Sequence, residues 1–125
     1  MKYLLLLGFL LVGCNASNKV LQKDIAINHV VIMELHDTDM ADDLITSADK
    51  LLSTIPVVQA YSCGAMLNLK LWPAVTDFTV GLYVGFKNAN DAALYAEHPQ
   101  HLQFVNDWWG EGLIKSTRLV DFDGE

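Results

Sequence analysis

The chain has 125 residues, which is enough for one domain. Its 15 acidic residues outnumber its 8 lysines and arginines, for a formal net charge of −7. This excess of negative charge argues against nucleic acid as a partner and against electrostatic docking on anionic lipid, because both require a basic surface.

The first 13 residues are predicted to be a targeting signal rather than part of the fold. In MKYLLLLGFLLVGC, Lys2 precedes an apolar run, Leu4–Val12, that is too short to cross a bilayer. The run ends in Leu-Val-Gly-Cys, which resembles the lipobox of bacterial lipoproteins. On that resemblance a peptidase cuts before Cys14, which then carries the lipid. The alternative is an ordinary secretory signal with a chance cysteine.

The expected location follows from this lipidated cysteine. Several acyl chains anchor a protein to a membrane without spanning it, so residues 14–28 are predicted to be the anchor and its tether. Asn15 stands where an aspartate favours inner-membrane retention in related lipoproteins. We therefore expect a protein of the bacterial cell envelope, attached to lipid, on the outer membrane and facing the periplasm.

Residues 29–122 are predicted to form one α+β domain with the element order βαββαβ, a ferredoxin-like layout. Pro56 is expected to end the first helix and Gly64 to mark a β-bulge. The predicted strands are His29–Leu35, Val57–Leu67, Phe78–Lys87 and Thr117–Phe122, and helices are predicted to begin near Asp39, after Asn88 or Asn90, and at Pro99.

Both faces of the predicted sheet carry apolar side chains. A sheet with helices on one side should be polar on the other side if that side met water. We therefore expect a second copy of the chain to cover it, giving a homodimer in which two sheets close into a dimeric α/β barrel. The apolar positions include Val31, Met33 and Leu35 on one parity, Val30 and Ile32 on the other, and Phe78, Val80, Leu82, Val84 and Phe86 in the third strand.

Cys63 is the one cysteine that remains if Cys14 carries lipid. A lone cysteine cannot form an internal disulfide. Since no histidine is near it in sequence, we expect Cys63 to be a small apolar core residue rather than a nucleophile.

The most specific pattern is Tyr-x-x-His-Pro-x-His in the segment YAEHPQHLQFV, residues 95–105. Together with HVVIMEL in the first strand, FTVGLYVGF in the third and a last strand ending in Asp-Phe, it resembles the stress-responsive A/B barrel (Dabb) family. The likeness covers residues 29–122. It implies a dimeric α+β barrel and, for most members, no established activity.

The resemblance also implies roles for single residues. In one plant member, a polyketide cyclase that needs no metal or cofactor, the residues matching Tyr95 and His101 are the catalytic pair. A histidine matching His29 lies beside them. Val80 stands where that member has a pocket histidine, so this chain lacks one polar group there. We expect His29, His98 and Val80 around the bound molecule.

Two interpretations of the motif remain open. Tyr95 and His101 could act as an acid–base pair, because imidazole titrates near neutrality. Alternatively, His98 caps a helix that Pro99 begins, and His101 packs in its first turn. The two histidines lie three residues apart with a proline between them, unlike the four-residue spacing of zinc-binding helices, so neither a metal nor another cofactor is expected.

The sequence therefore predicts a lipid-anchored, homodimeric domain that binds a small apolar or aromatic molecule. The alternative is a cofactor-free enzyme, cyclase-, isomerase- or oxygenase-like, that uses Tyr95 and His101. A structural module of the envelope is a third possibility. An open cavity reached by both side chains would favour the first two.

Overall fold

A computed structural model describes residues 24–124. The predicted signal, the lipidation at Cys14 and most of the tether lie outside these residues. The strands are β1 (Ile27–Leu35), β2 (Ala60–Ala65), β3 (Val80–Phe86) and β4 (Ile114–Asp123), and the helices are α1 (Ala41–Leu51), α2 (Ala89–Glu97) and α3 (Pro99–Val105). A 3₁₀ turn, Thr38–Met40, precedes α1, and a π-helical turn, Asn106–Gly110, follows α3.

The strands form one antiparallel sheet in the order β2-β3-β1-β4. This confirms the predicted ferredoxin-like α+β fold, with the second helical region split into α2 and α3. None of the helices within residues 24–124 is long and apolar enough to cross a bilayer.

The hydrophobic core lies between the helices and one face of the sheet. Alternate residues of β1 and β3 point to it, because successive side chains of a strand face opposite sides. Each large buried side chain contributes about 1.5–3 kcal/mol. The sheet supplies Val31, Met33, Leu35, Val80, Leu82, Val84 and Phe86, and the helical side supplies Leu44, Ala48, Leu52, Ile55, Tyr95, Phe104 and Trp108.

The first helix ends earlier than predicted. It stops at Leu51, five residues before Pro56, so the proline does not end it. The hydroxyls of Ser53 and Thr54 donate to backbone carbonyls one turn back, where they compete with the amides of a continuing helix. Ile55 is still buried, in the turn that follows.

The second strand is shorter than predicted. Its ladder occupies Ala60–Ala65 rather than Val57–Leu67. Gly64 faces Gly81 in continuous register, so the bulge predicted at this glycine is wrong. The register shifts instead in the pairing of β1 with β4, after Glu34.

No described helix covers the other face of the sheet, which we call the open face. Between the two central strands, the Tyr83 hydroxyl donates to Oδ1 of Asn28 at 2.6 Å, and Asn28 is buried. Toward the edge, half of each side chain of Val120 and Phe122 is exposed. The open face is therefore partly apolar, as the sequence predicted.

Phe78 lies on this open face, whereas the alternation predicted that it would point the same way as Val80, which is in the core. It precedes β3, whose regular pairing begins only at Val80. Its ring approaches within 3.7 Å of the position that a Cβ on Gly81 would occupy. Outside the strand, the alternation of faces no longer decides where a side chain points.

A candidate ligand-binding cavity

A cavity of about 590 Å³ lies between the sheet and the helices α2 and α3. Its volume is within the range of small-molecule sites, which are mostly apolar with a few polar groups. The apolar lining includes Ile27, Val31, Leu82, Phe86, Phe104 and Leu119, and the polar lining consists of His29, Tyr95, His101, Thr117 and Asp121 together with the Trp109 indole.

Short side chains on α2 help to create this space. Ala89, Ala92 and Ala96 all line the cavity and recur at the three- and four-residue spacing of one helix face. Methyl groups leave room where leucines would fill the gap. Sequence analysis missed this role, although the alanine spacing beside Tyr95 was its visible signal.

The cavity opens along β4. This edge strand is exposed along nearly its whole length, and Leu119 on the cavity side is 57% exposed. Trp109, from the π-helical turn, bridges toward β4 through its Nε1, which donates to Oγ1 of Thr117 at 2.8 Å. The neighbouring Trp108 instead enters the core, where its Nε1 donates to Oγ of Ser47 at 3.1 Å.

The junction between α2 and α3 consists of His98 alone. Its backbone is extended (φ −63°, ψ 137°), and its Nδ1 accepts a hydrogen bond from the amide of Gln100 at 3.1 Å. Pro99 occupies the first helical position, where no amide donor is needed. The predicted capping role of His98 is confirmed. His98 does not line the cavity, in contrast to its expected place around a ligand.

Tyr95 and His101 meet across this junction. Their ring centroids are 4.7 Å apart, with the planes inclined by 48°. Tyr95 is 3% exposed, and none of the hydrogen bonds described within residues 24–124 involves its hydroxyl. Burial raises the pKa of Tyr95 well above its ordinary value, so the phenol remains a hydrogen-bond donor at neutral pH.

The backbone of α2 fixes the tautomer of His101. Nδ1 of His101 lies 2.9 Å from the carbonyl oxygen of Ala96, which can only accept. The proton of the neutral ring is therefore on Nδ1, and Nε2 keeps its lone pair. Burial lowers the pKa of His101; its bond to Ala96 opposes this shift, and the neighbouring His29 adds to it. The result is a neutral imidazole that can accept a proton at Nε2.

His29 joins the same cluster from β1. Its ring centroid is 6.4 Å from that of Tyr95, and its Nδ1 is 2.5 Å from Oδ1 of Asp121. His29 and Asp121 are directly opposite each other in the register of β1 and β4. Sequence analysis missed Asp121 because only the strand pairing brings residues 92 positions apart into contact.

Val80 is fully buried and does not line the cavity, contrary to expectation. It pairs with Met33, beyond Val31, at the end of the sheet remote from His29. The position that aligns with the pocket histidine of the plant cyclase therefore belongs to the core in this chain.

The described cysteine and histidines do not form a metal centre. Within residues 24–124 no group of three or more His, Cys, Asp or Glu side chains could hold a metal ion. Burial raises the pKa of the Cys63 thiol to about 11, partly opposed by a hydrogen bond with Tyr61. The thiolate that a nucleophile requires is thus scarce at neutral pH.

The family model of the stress responsive A/B barrel domain matches residues 27–123. The chain belongs to this family. A relative in Arabidopsis thaliana, the stress-response A/B barrel domain-containing protein DABB1, is 26% identical over 103 residues. The match covers 79% of the present chain but 47% of DABB1, so the chain spans about half the length of that relative.

Solved structures share the fold of this A/B barrel domain. A dimeric ferredoxin-like protein of unknown function from Thermobifida fusca superposes with a TM-score of 0.66 at 22% identity, covering 81% of this chain and 92% of that one. A hydroxynitrile lyase from Passiflora edulis gives a TM-score of 0.67 at 14% identity, covering 82% and 96%. At these identities the likeness concerns the fold.

Proposed function

We propose that this protein binds a small, largely apolar or aromatic molecule in the cavity beside Tyr95 and His101. The observation that carries the proposal is an open, apolar cavity of about 590 Å³ with its polar side chains clustered at short range. If the motif only packed in a sealed core, side chains would fill this volume, because protein interiors are close-packed.

The cluster favours a ligand with an apolar body and one hydroxyl or carbonyl group. The Tyr95 hydroxyl can donate to an oxygen of the ligand, whereas Nε2 of His101 can accept from a ligand hydroxyl. Asp121 holds the His29 ring, which adds a second imidazole to the same wall. Phenols and enolisable ketones of one or two rings have this combination.

A thermal-shift screen of such compounds on detergent-solubilised full-length protein tests the proposal. Ala92→Leu would extend a side chain into the cavity, and we expect it to weaken binding of any hit at least tenfold. Ala93→Leu on the same helix is the matched control, because Ala93 does not line the cavity. Equal binding by the two variants would refute this location.

A second candidate is cofactor-free acid–base catalysis in the same cavity. The fixed tautomer of His101 favours it, because Nε2 could take a proton from a carbon next to a carbonyl while Tyr95 donates to the enolate oxygen. The Passiflora edulis enzyme indicates that this fold can house catalysis. If the protein is such an enzyme, Tyr95→Phe and His101→Gln should each abolish turnover of a bound ketone. If the protein only binds the ketone, the wild type should show no turnover.

We propose a lipid anchor at Cys14 and a place in the bacterial envelope, on the outer membrane facing the periplasm. The basis is the segment MKYLLLLGFLLVGC, whose apolar run and Gly-Cys ending resemble a lipoprotein signal. Labelled palmitate should enter the wild-type protein and should not enter Cys14→Ser. Equal labelling of both would contradict the anchor.

We also propose a homodimer closed through the open face. The apolar side chains of Val120 and Phe122 on that face support it, as does the dimeric state of the Thermobifida fusca protein with the same fold.

A further inference from the structure

The segment between β2 and β3, residues 66–78, is unusually apolar for an exposed loop; we call it the arm. Five large apolar side chains of the arm are between 53% and 71% exposed. Scattered exposed apolar residues are normal, whereas a contiguous group marks an interaction surface. The five are Leu67, Leu69, Leu71, Trp72 and Val75.

The arm has a defined conformation despite its exposure. The amide of Lys70 donates to Oδ1 of Asn68 at 3.0 Å, and Lys70 adopts a left-handed backbone with φ 57°. At the base of the arm, Nη2 of Arg118 donates to Oδ1 of Asp77 at 2.8 Å. These contacts fix a turn within the arm and tie its base to β4.

The base of the arm is continuous with the open face. Arg118 projects from β4 on the same side as Val120 and Phe122, since these residues alternate along the strand. Phe78 packs over Gly81 on that side. The exposed arm and the exposed edge of the open face therefore form one surface.

Charge and area also favour a protein partner. Residues 66–76 contain one lysine and no acidic side chain, although the whole chain carries −7. Depletion of charge with enrichment of tryptophan characterises the centres of protein interfaces. A stable interface buries about 800 Å² per partner, and the arm adds its exposed apolar side chains to those that the open face offers toward this area.

We propose that the arm packs against a second copy of this chain and so extends the contact between the open faces. This inference rests on the homodimer proposed above. A lipid surface is the competing occupant. The described chain starts at the opposite end of the sheet, where the amide of Ala26 bonds to the carbonyl of Phe86. The length of β3 puts about 20 Å between that end and the base of the arm, and the cross-linking experiment below distinguishes a second copy from lipid.

Site-specific photo-cross-linking in the full-length, membrane-extracted protein tests the arm directly. Benzoylphenylalanine is introduced at Trp72, at Val120 on the open face, and at Leu94, a 52% exposed leucine of α2. We expect a cross-linked dimer from Trp72 and from Val120 and none from Leu94.

The possible outcomes distinguish a failure of the arm contact from a failure of the homodimer. A dimer band from Val120 with none from Trp72 overturns the arm contact and leaves the homodimer standing. No dimer band from either position overturns both. An adduct between Trp72 and phospholipid, without a dimer band, would assign the arm to a membrane surface and also overturns the proposal.

The arm should also contribute to the affinity of the two copies of the chain for each other. We expect the double variant Leu71→Ser/Trp72→Ser to raise the dimer dissociation constant at least tenfold in sedimentation equilibrium. The control Leu94→Ser/Leu102→Ser removes two comparably exposed leucines from α2 and α3, and it should leave the constant within about twofold. Equal effects of the two double variants would contradict a specific role of the arm.

Discussion

Tyr83 and Tyr95 differ in what their hydroxyl groups do. The Tyr83 hydroxyl donates to the buried Asn28, whereas Tyr95 lines the cavity and its hydroxyl takes part in none of the hydrogen bonds described within residues 24–124. A bonded hydroxyl contributes to stability, and its removal leaves the partner unsatisfied. The Tyr95 hydroxyl is therefore available for a ligand.

We predict opposite results for two Tyr→Phe variants. Tyr95→Phe should change the free energy of unfolding by less than about 0.5 kcal/mol, because no hydrogen bond is lost. Tyr83→Phe should cost about 1–3 kcal/mol, because it strands the Asn28 amide oxygen. Urea denaturation measures both. A loss above about 1 kcal/mol in Tyr95→Phe would show that its hydroxyl has a structural role.

The protonation of His101 predicts how the free energy of unfolding changes with pH. Its pKa is lowered in the folded protein, so below about pH 6.5 the unfolded chain binds the proton more readily than the folded one. Stability is therefore lost as the pH falls from about 6.5 toward the lowered pKa. Urea unfolding of wild type and His101→Gln between about pH 7.5 and 5.5 should show a smaller loss in the variant. Parallel curves would indicate that His101 is protonated equally in both states.

At the scale of the elements, the α2–α3 junction depends on one side chain. His98 supplies the cap of α3, while Gln100 ties that helix to the end of α1 through the carbonyl of Leu51. Both contacts position His101 against Tyr95. The junction is thus a support for the site rather than part of its lining.

We predict that His98→Ala destabilises the fold by about 1 kcal/mol and that His98→Asn recovers most of this loss. Alanine removes the acceptor for the amide of Gln100, and asparagine restores one. Chemical denaturation gives the stabilities, and the thermal shift of a cavity ligand should follow the same order. Full stability in His98→Ala would mean that Pro99 alone sets the helix start.

Sequence patterns predicted the elements better than the contacts between them. The alternation in β3 and the signal at His98-Pro99 are local, so they identified a strand and a helix start. The Asp121 partner of His29 depends on strand register, and the end of α1 depends on competing hydroxyl groups. Tyr95 and His101 were found through their family pattern, whereas the alanine spacing that creates the cavity is a helical spacing outside that pattern.

For the molecule as a whole, we expect the open face to determine the oligomeric state. Sheets that leave apolar residues uncovered gain stability by packing against another sheet. Val120 and Phe122 provide such residues on the edge strand β4, whereas Asn28 and Tyr83 bond to each other on the inner strands β1 and β3. We therefore expect the dimer to depend on the edge residues of β4.

We predict that Val120→Glu/Phe122→Glu converts the dimer into monomers. Two carboxylates would have to be buried without partners, which opposes association strongly. Light scattering coupled to size exclusion measures the mass of the solubilised protein. Leu94→Glu/Leu102→Glu on the helices is the control and should stay dimeric. Dimers in both cases would place the interface elsewhere.

The single-residue junction at His98 has a consequence for changes in chain length. Each residue added to a helix rotates everything after it by about 100°. One inserted residue between His98 and His101 would therefore turn the second imidazole away from the tyrosine ring while leaving every side chain of the motif in place. Such an insertion would erase the pair without any substitution. The number of residues between Tyr95 and His101 is thus as necessary for the contact between the two rings as the side chains are.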